Sequence, residues 1–257
     1  MSLLRAEVLS YAVEDRHLVA DASFDLERGM VTALIGPNGS GKTTLLRLAL
    51  GLLAADDGTA LIDGLSVTEL TPVARARQIA YLPQMRPLVW PQPVRDIVAL
   101  GRFAYGAAPG RLSATDSAAV NQAIASCSLE GFEERAADTL SGGELSRVHL
   151  ARALAGETPL IVADEPVAAL DPRFQHEAMR IFRKVAAEGR GVLTVVHDLA
   201  LAARYADHVL WMKEGRIVAE GSPLDTFSTD RLDAVFGVNA EVRREGSAVR
   251  LDISGPA

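Results

Sequence analysis

The sequence predicts an α/β protein, in which a mixed sheet flanked by helices is entered through an antiparallel β segment and interrupted by a small helical one. Three observations predict it. The apolar run Val31 to Ile35 passes through a glycine-rich turn into a helical stretch from Thr44 to Leu53. The runs Leu160 to Ala163 and Val192 to Val196 have strand length and no polar face, and a helix over residues 173–188 lies between them. That is the strand, helix, strand pattern of a buried parallel sheet. Residues 94–156 carry helical rather than strand patterning.

Taken in order, residues 3–9 and 17–27 alternate loosely between apolar and polar, as strands of an antiparallel sheet do, with Tyr11 between them. Thr59 to Asp63, closed by Gly64, and Ile79 to Leu82, ending at Pro83-Gln84, are further short strands. From Met85 to Pro93 the chain is rich in proline and carries Trp90, which suits an irregular loop and marks a lobe boundary. Ser113 with Asp116 predicts a capping box, after which Val120, Ala123, Ile124 and Cys127 fall on one helix face. Val209 to Met212, a turn over residues 213–216, and Ile217 to Glu220 predict a hairpin. The last twenty or so residues are polar and loosely alternating, and the sequence says little about them. The expected organisation is one domain over 1–257: a catalytic lobe from 1–84 and 157–237, a helical lobe over 85–156, and a C-terminal extension over 238–257.

Composition narrows the function. With 257 residues, 49% of them hydrophobic, the chain has ample core. A formal charge of −7 with no basic block argues against a protein that lives on nucleic acid. The single cysteine, Cys127, excludes an internal disulfide framework and reads as a small core residue of a reducing compartment. The N-terminal residues do not pattern as a signal peptide, and the longest apolar stretch, Leu45 to Leu53, contains Arg47 and is too short to span a bilayer. A cytosolic chain is expected, with any membrane role exercised through a partner.

The chemistry concentrates in two places. Gly36-Pro37-Asn38-Gly39-Ser40-Gly41-Lys42-Thr43, followed by Thr44, fills every fixed position of GxxxxGK(S/T) at a strand-to-helix turn. Glycines there let consecutive amides turn inward on an anion at the positive end of the helix. Lys42 would reach the outer phosphates and the Thr43 hydroxyl would ligate Mg²⁺. The pattern predicts a phosphate cradle that resembles the loop of P-loop NTPases. The Leu160 to Ala163 strand then delivers Asp164 and Glu165 at its C-terminal end, where α/β sheets place ligands. Asp164 suits Mg²⁺, directly or through water, and Glu165 the polarising of an attacking water.

Leu140-Ser141-Gly142-Gly143-Glu144, shortly before that acidic pair, resembles the LSGGQ signature of the ATP-binding cassette family, the nucleotide-hydrolysing subunits of ABC transporters. The resemblance runs from Tyr11 to about Gly221. It implies Gln84 as the Q-loop glutamine touching Mg²⁺ and water, Ala169-Leu170-Asp171 as the D-loop, His197 as the switch histidine on the γ-phosphate, and Tyr11 as the aromatic stacked on adenine. The departure is Glu144 in place of Gln. Ser141 and Glu144 also spell a capping box, and the capped arrangement is expected to turn that carboxylate away from the phosphate.

In the family the signature contacts ATP from the opposite subunit. The resemblance therefore implies a head-to-tail dimer in which Gly36 to Thr44 of one copy and Ser141 to Gly143 of the other enclose ATP and Mg²⁺. It further implies a membrane permease docking near Met85 to Pro93, an indirect role for a substrate-binding protein, and a peripheral place on the cytoplasmic face of the cell membrane. Val94 to Arg102 and Leu232 to Val238 resemble the ATPases of importers for iron-siderophores, haem and cobalamin. The alternatives are a soluble ABC-type ATPase acting on ribosomes or DNA, an ABC ATPase of another importer class, and a switch that binds ATP without turnover.

Overall fold

Two long strands open the chain, β1 (Ser2–Val13) and β2 (Arg16–Glu27), paired antiparallel across a short turn. The computed structural model describes residues 2–84, 91–108, 110–167, 171–246 and 248–256. β3 (Val31–Ile35) leads into α1 (Lys42–Ala49), followed by β4 (Asp57–Ile62), β5 (Leu65–Ser66), α2 (Pro72–Gln78) and β6 (Ile79–Leu82). Then come α3 (Val94–Ala99), a 3-10 turn over Leu100–Tyr105, α4 (Ala114–Ser126), a second 3-10 turn over Ala137–Thr139, and α5 (Gly142–Ala155). The chain returns to the sheet with β7 (Leu160–Ala163), α6 (Pro172–Ala187), β8 (Gly191–Val195), α7 (Leu199–Tyr205), β9 (His208–Lys213) and β10 (Arg216–Gly221). It ends with α8 (Pro223–Thr226), α9 (Thr229–Phe236), β11 (Val238–Glu245) and β12 (Ala248–Pro256).

Three sheets result: β2-β1-β4-β5, the central β10-β9-β3-β8-β7-β6, and the β11-β12 pair. In the central sheet β9, β3, β8, β7 and β6 run parallel and β10 closes it antiparallel. Alternation explains why these strands carry no polar face. Ala33 and Ile35, Ile161 and Ala163, Val192, Val209 and Trp211 point into a core shared with α3 to α7, while Leu34, Leu160, Val162, Leu193, Val195, Leu210 and Met212 point into a second core under α1 and the N-terminal sheet. Both faces are covered, so both must be apolar.

Local differences from the expectation have local causes. α1 stops at Ala49 rather than Leu53 because Gly51 turns left-handed, at φ +63°, and the Leu52 amide folds back on the Arg47 carbonyl at 2.8 Å. Tyr11 lies within β1, opposite Val19, rather than between strands. The predicted α4 cap is half a box: the Ser113 hydroxyl accepts from the Asp116 amide at 3.1 Å, but the Asp116 carboxylate takes the Ser113 hydroxyl and Arg102 in place of the Ser113 amide. Val120, Ala123, Ile124 and Cys127 are all buried on one face, and burial pushes the Cys127 thiol up to about 12. The polar terminus from 238 onward, about which the sequence says little, forms the β11–β12 hairpin: its Ala240 and Val249 enter the core beside α9 and α7.

Candidate active site

The sheet order gathers the chemistry. β3, β8, β7 and β6 are neighbours, so the loops leaving their C-terminal ends share one edge, and these loops carry the GxxxxGKT turn, His197, Asp164-Glu165 and Gln84.

Two glycines of the turn have steric reasons. A Cβ on Gly36 would stand 2.1 Å from the Met212 carbonyl oxygen, and Gly41, the N-cap of α1 at φ +100°, would press one to 2.2 Å from the Leu18 carbonyl oxygen. Neither position admits a side chain. The Gly215 amide donates to the Ser40 carbonyl at 3.0 Å, fixing the turn against the β9–β10 connection. Asn38 and Gly39 are exposed, whereas Lys42 is 6% exposed and curls back to donate its Nζ to the Gly36 and Pro37 carbonyls at 2.7 and 2.9 Å. Burial lowers the Lys42 pKa, with the charges of Glu165 and Asp164 acting against it. The ammonium is thus held where an anion would relieve its desolvation. A cavity of about 230 Å³ adjoins the turn, walled by Arg16, His17 and Leu18 on one side and by residues 213–215 on the other.

Asp164 follows β7 directly and is 1% exposed. Its amide donates to the Leu82 carbonyl at 2.8 Å, but neither carboxylate oxygen accepts a hydrogen bond of ordinary geometry. Burial pushes its pKa up, and the Thr43 hydroxyl and the cations of Arg47 and Lys42 only partly offset this. A buried carboxylate with uncommitted oxygens beside a hydroxyl is an oxygen donor set that fits a hard cation such as Mg²⁺. Among the described residues no group of three or more His, Cys, Asp or Glu could hold a metal. The donor set therefore suits an ion whose remaining ligands are phosphates and water.

Glu165 occupies the left-handed region at φ +51°, unusual for a side chain of its size. Its carboxylate is clamped from both sides: Gln84 Nε2 donates to Oε2 at 2.7 Å and His197 Nε2 lies 2.5 Å from Oε1. Three residues spread over 113 positions of sequence meet because β6, β7 and β8 are adjacent and in register, Leu82 beside Ala163 and Ala163 beside Thr194. The group can orient a water and accept its proton.

The first turn of α5 stands apart. Ser141 caps it with both halves of a capping box: the Glu144 amide donates to Ser141 Oγ at 3.3 Å, and the Ser141 amide donates to Glu144 Oε2 at 2.7 Å. Ser141 and Gly142 are exposed, and a Cβ on Gly142 would meet nothing within 4 Å. No described neighbour demands glycine there, and no described hydrogen bond joins this turn to the GxxxxGKT turn. Asp171 serves as the N-cap of α6, accepting from the Phe174 amide at 3.1 Å, while Ala169 and Leu170 lie outside the described residues. Tyr11 is half-buried against the N-terminal core, on the hairpin whose Leu18 covers Gly41. Of the stretch Met85 to Pro93, residues 85–90 lie outside the described residues. Sequence reasoning missed the contributions of Arg16, His17 and Gly215 to the walls of the turn. Their signal is tertiary: two hairpin turns folded against a loop remote in sequence.

The sequence profile of the ABC transporter family matches residues 19–168. The chain belongs to the ABC transporter family. As an ABC ATP-binding subunit it binds ATP and is an ATPase coupled to transport. It is 40% identical over 248 residues, 93% of each chain, to the hemin import ATP-binding protein HmuV of Rhizobium meliloti (strain 1021). Among solved structures it is similar to the ATP binding subunit of an ABC transporter, at 29% identity and a TM-score of 0.80 over 91% of this chain and 98% of that one. It is also similar to a dimeric bacterial ABC transporter cassette, at 26% identity and a TM-score of 0.76 over 86% and 98%. The α/β core with its antiparallel sheet is thus the fold of ABC cassettes.

Proposed function

We propose that this chain powers the uptake of haem or a related iron chelate through a membrane permease, working as a head-to-tail dimer at the cytoplasmic face of the membrane. The observation that carries the catalytic part is the Glu165 carboxylate held between Gln84 and His197, next to the buried Asp164 and Lys42. The substrate class rests on the Rhizobium meliloti relative, which is named for hemin import.

ATP enters with its phosphates in the turn from Gly36 to Thr44. Lys42 exchanges the carbonyls of Gly36 and Pro37 for the outer phosphates, and the amides of the turn complete the cradle. Thr43 and Asp164, with Gln84 beside them, would hold Mg²⁺, which when bound neutralises charge on the β- and γ-phosphates. Glu165 accepts the proton of the attacking water, His197 hydrogen-bonds the γ-phosphate, and Gln84 keeps the carboxylate aimed. Tyr11 offers a ring face to adenine. Ser141, Gly142 and Gly143 of the second copy close the far side of the triphosphate, with Asp171 at the seam between copies. This accounts for an exposed turn with a glycine that its own chain does not need.

A permease finds a suitable surface beside the Gln84 strand. Phe103, Leu100 and Val73 are exposed large apolar residues, Phe103 to 70%, and they line a groove of about 400 Å³ with Tyr81 and Arg152. An exposed apolar groove of this kind suits burial against a partner. No described helix is long and apolar enough to cross a membrane, so the membrane-spanning part would be that partner.

Two measurements test the proposal. Glu165→Gln is expected to lower turnover by at least about a hundredfold while Mg-ATP converts it to a stable dimer in size-exclusion chromatography; normal turnover would remove Glu165 from its role. Gentle detergent purification from the native cell is expected to bring down an integral-membrane permease, and recovery of ribosomal proteins instead would overturn the importer assignment.

A further inference from the structure

We propose that Arg135 is a positioning residue for ATP: its guanidinium holds and neutralises the Glu144 carboxylate, so that the first turn of α5 offers donors without net negative charge to the triphosphate. The proposal rests on the head-to-tail dimer described above.

The problem Arg135 solves is set by the Glu144 charge. A carboxylate in the first turn stabilises a helix through its capping bond and the helix dipole, yet the same charge repels a polyphosphate arriving at that end. Glu144 is held ionised, its pKa lowered first by the hydrogen bond from the Ser141 amide, then by the Ser141 hydroxyl, with the nearby arginines adding to it. Turning the side chain into the cap moves the charge but does not remove it. The capping bond uses Oε2; Oε1 faces Arg135, with Nη1 at 3.5 Å.

Arg135 is itself fixed. Its Nη2 donates to the Thr139 carbonyl at 3.2 Å, and its guanidinium lies 4.6 Å from the centre of the Phe132 ring. The other cation near Glu144 is Arg147, which is engaged elsewhere: it donates to the Cys127 and Ser128 carbonyls at 3.3 and 2.7 Å and lies over Phe174. With the Ser141 amide and hydroxyl both engaged by Glu144, the donors left for an anion are the amides of Gly142 and Gly143, which stand at helix positions lacking an intrahelical acceptor. Arg135 lets the capping box and the anion-binding role coexist.

Steady-state ATPase kinetics of four proteins test this: wild type, Arg135→Gln, Glu144→Gln, and the double variant. Gln at 135 keeps an N–H donor for the Thr139 carbonyl while removing the charge. Arg135→Gln is expected to raise KM for ATP roughly two- to fivefold at low salt, the range of a partly exposed ion pair, with kcat little changed. The rise should vanish in the Glu144→Gln background and shrink at about 0.5 M salt. Arg135→Lys, which keeps the charge, should retain the wild-type KM.

An unchanged KM in Arg135→Gln overturns the proposal, as does an equal rise with and without the Glu144 charge, which would mark Arg135 as purely structural. Should Arg135→Gln not fold, Arg135→Lys against wild type decides alone, a raised KM counting against the proposal. Failure of the dimer reading is seen separately, as a Glu165→Gln protein that stays monomeric with Mg-ATP whatever the KM values are.

Discussion

Replacing Asp164 by Asn should make the nucleotide-free protein more stable and the enzyme inactive. The wild-type carboxylate is 1% exposed, accepts no hydrogen bond of ordinary geometry, and has a pKa raised chiefly by burial. A raised folded-state pKa means that the folded protein binds this proton more tightly than the unfolded chain does. The group therefore favours the fold below its unfolded pKa, loses that contribution as pH rises through the folded pKa, and penalises folding above it. An unsatisfied buried polar group costs roughly 1–3 kcal/mol, more when charged. Asn removes the charge but leaves an amide without partners, and it deprives Lys42 of one nearby anion, so a net gain of about 1 kcal/mol is expected. For a chain of this size that is a rise of roughly 2–4 °C in Tm. Differential scanning fluorimetry at neutral pH, without nucleotide, reads it directly. The advantage should shrink as pH falls through the folded pKa toward the unfolded one, because both proteins are then neutral at this position. Added Mg-ATP should reverse the order, stabilising wild type more than the variant. A lower Tm for the variant at neutral pH, or an advantage that persists unchanged into acid, would refute the reasoning.

Two further outcomes follow from geometry already described. Gly41→Ala places a methyl 2.2 Å from the Leu18 carbonyl oxygen at a left-handed position, and should lose about 1–3 kcal/mol of stability by chemical denaturation together with ATP binding by calorimetry; a stable variant that still binds ATP contradicts the assigned close packing. Phe103→Asp alters a side chain 70% exposed, in a groove whose lining includes none of Gln84, Asp164, Glu165 and His197. It should leave the ATPase of the isolated subunit within about twofold of wild type, since surface changes of this kind usually move stability by under about 0.5 kcal/mol, while abolishing co-purification with the permease. Retained association would move the docking surface elsewhere.

What was legible in the sequence was what short-range physics dictates. A strand covered on both faces must be apolar throughout, so Leu160 to Ala163 reads as buried parallel β without knowledge of its neighbours. The Ser141-Glu144 box is a local bond pattern and reads equally well. Less legible were features set by approach in three dimensions. Gly51 ends α1 four residues early through a left-handed turn that an otherwise helical run through Leu53 conceals. Asp116 looks like the second half of a box until the Arg102 guanidinium, 14 residues away, claims its carboxylate at 2.9 Å. The terminal hairpin was less legible because each strand buries few side chains: Ala240 and Val249 are the only buried ones described in β11 and β12, too few to give the loose alternation there an apolar face.

The same distinction separates the two halves of the site. The cradle explains itself within one chain, since Met212 and Leu18 forbid side chains at Gly36 and Gly41. At Gly142 an added methyl would project into open space, so packing against the described residues places no demand for glycine there. A residue without an internal reason directs attention outward. On the dimer reading that reason is the close approach of a triphosphate to the α5 amides, which a side chain at 142 would obstruct. Gly142→Ala then discriminates between the halves: with no internal clash and a better helix former, it should melt no lower than wild type, yet lose the ATP-dependent dimer. A variant that is both stable and fully able to dimerise would leave the glycine unexplained and remove the strongest structural support for a site completed by a second copy.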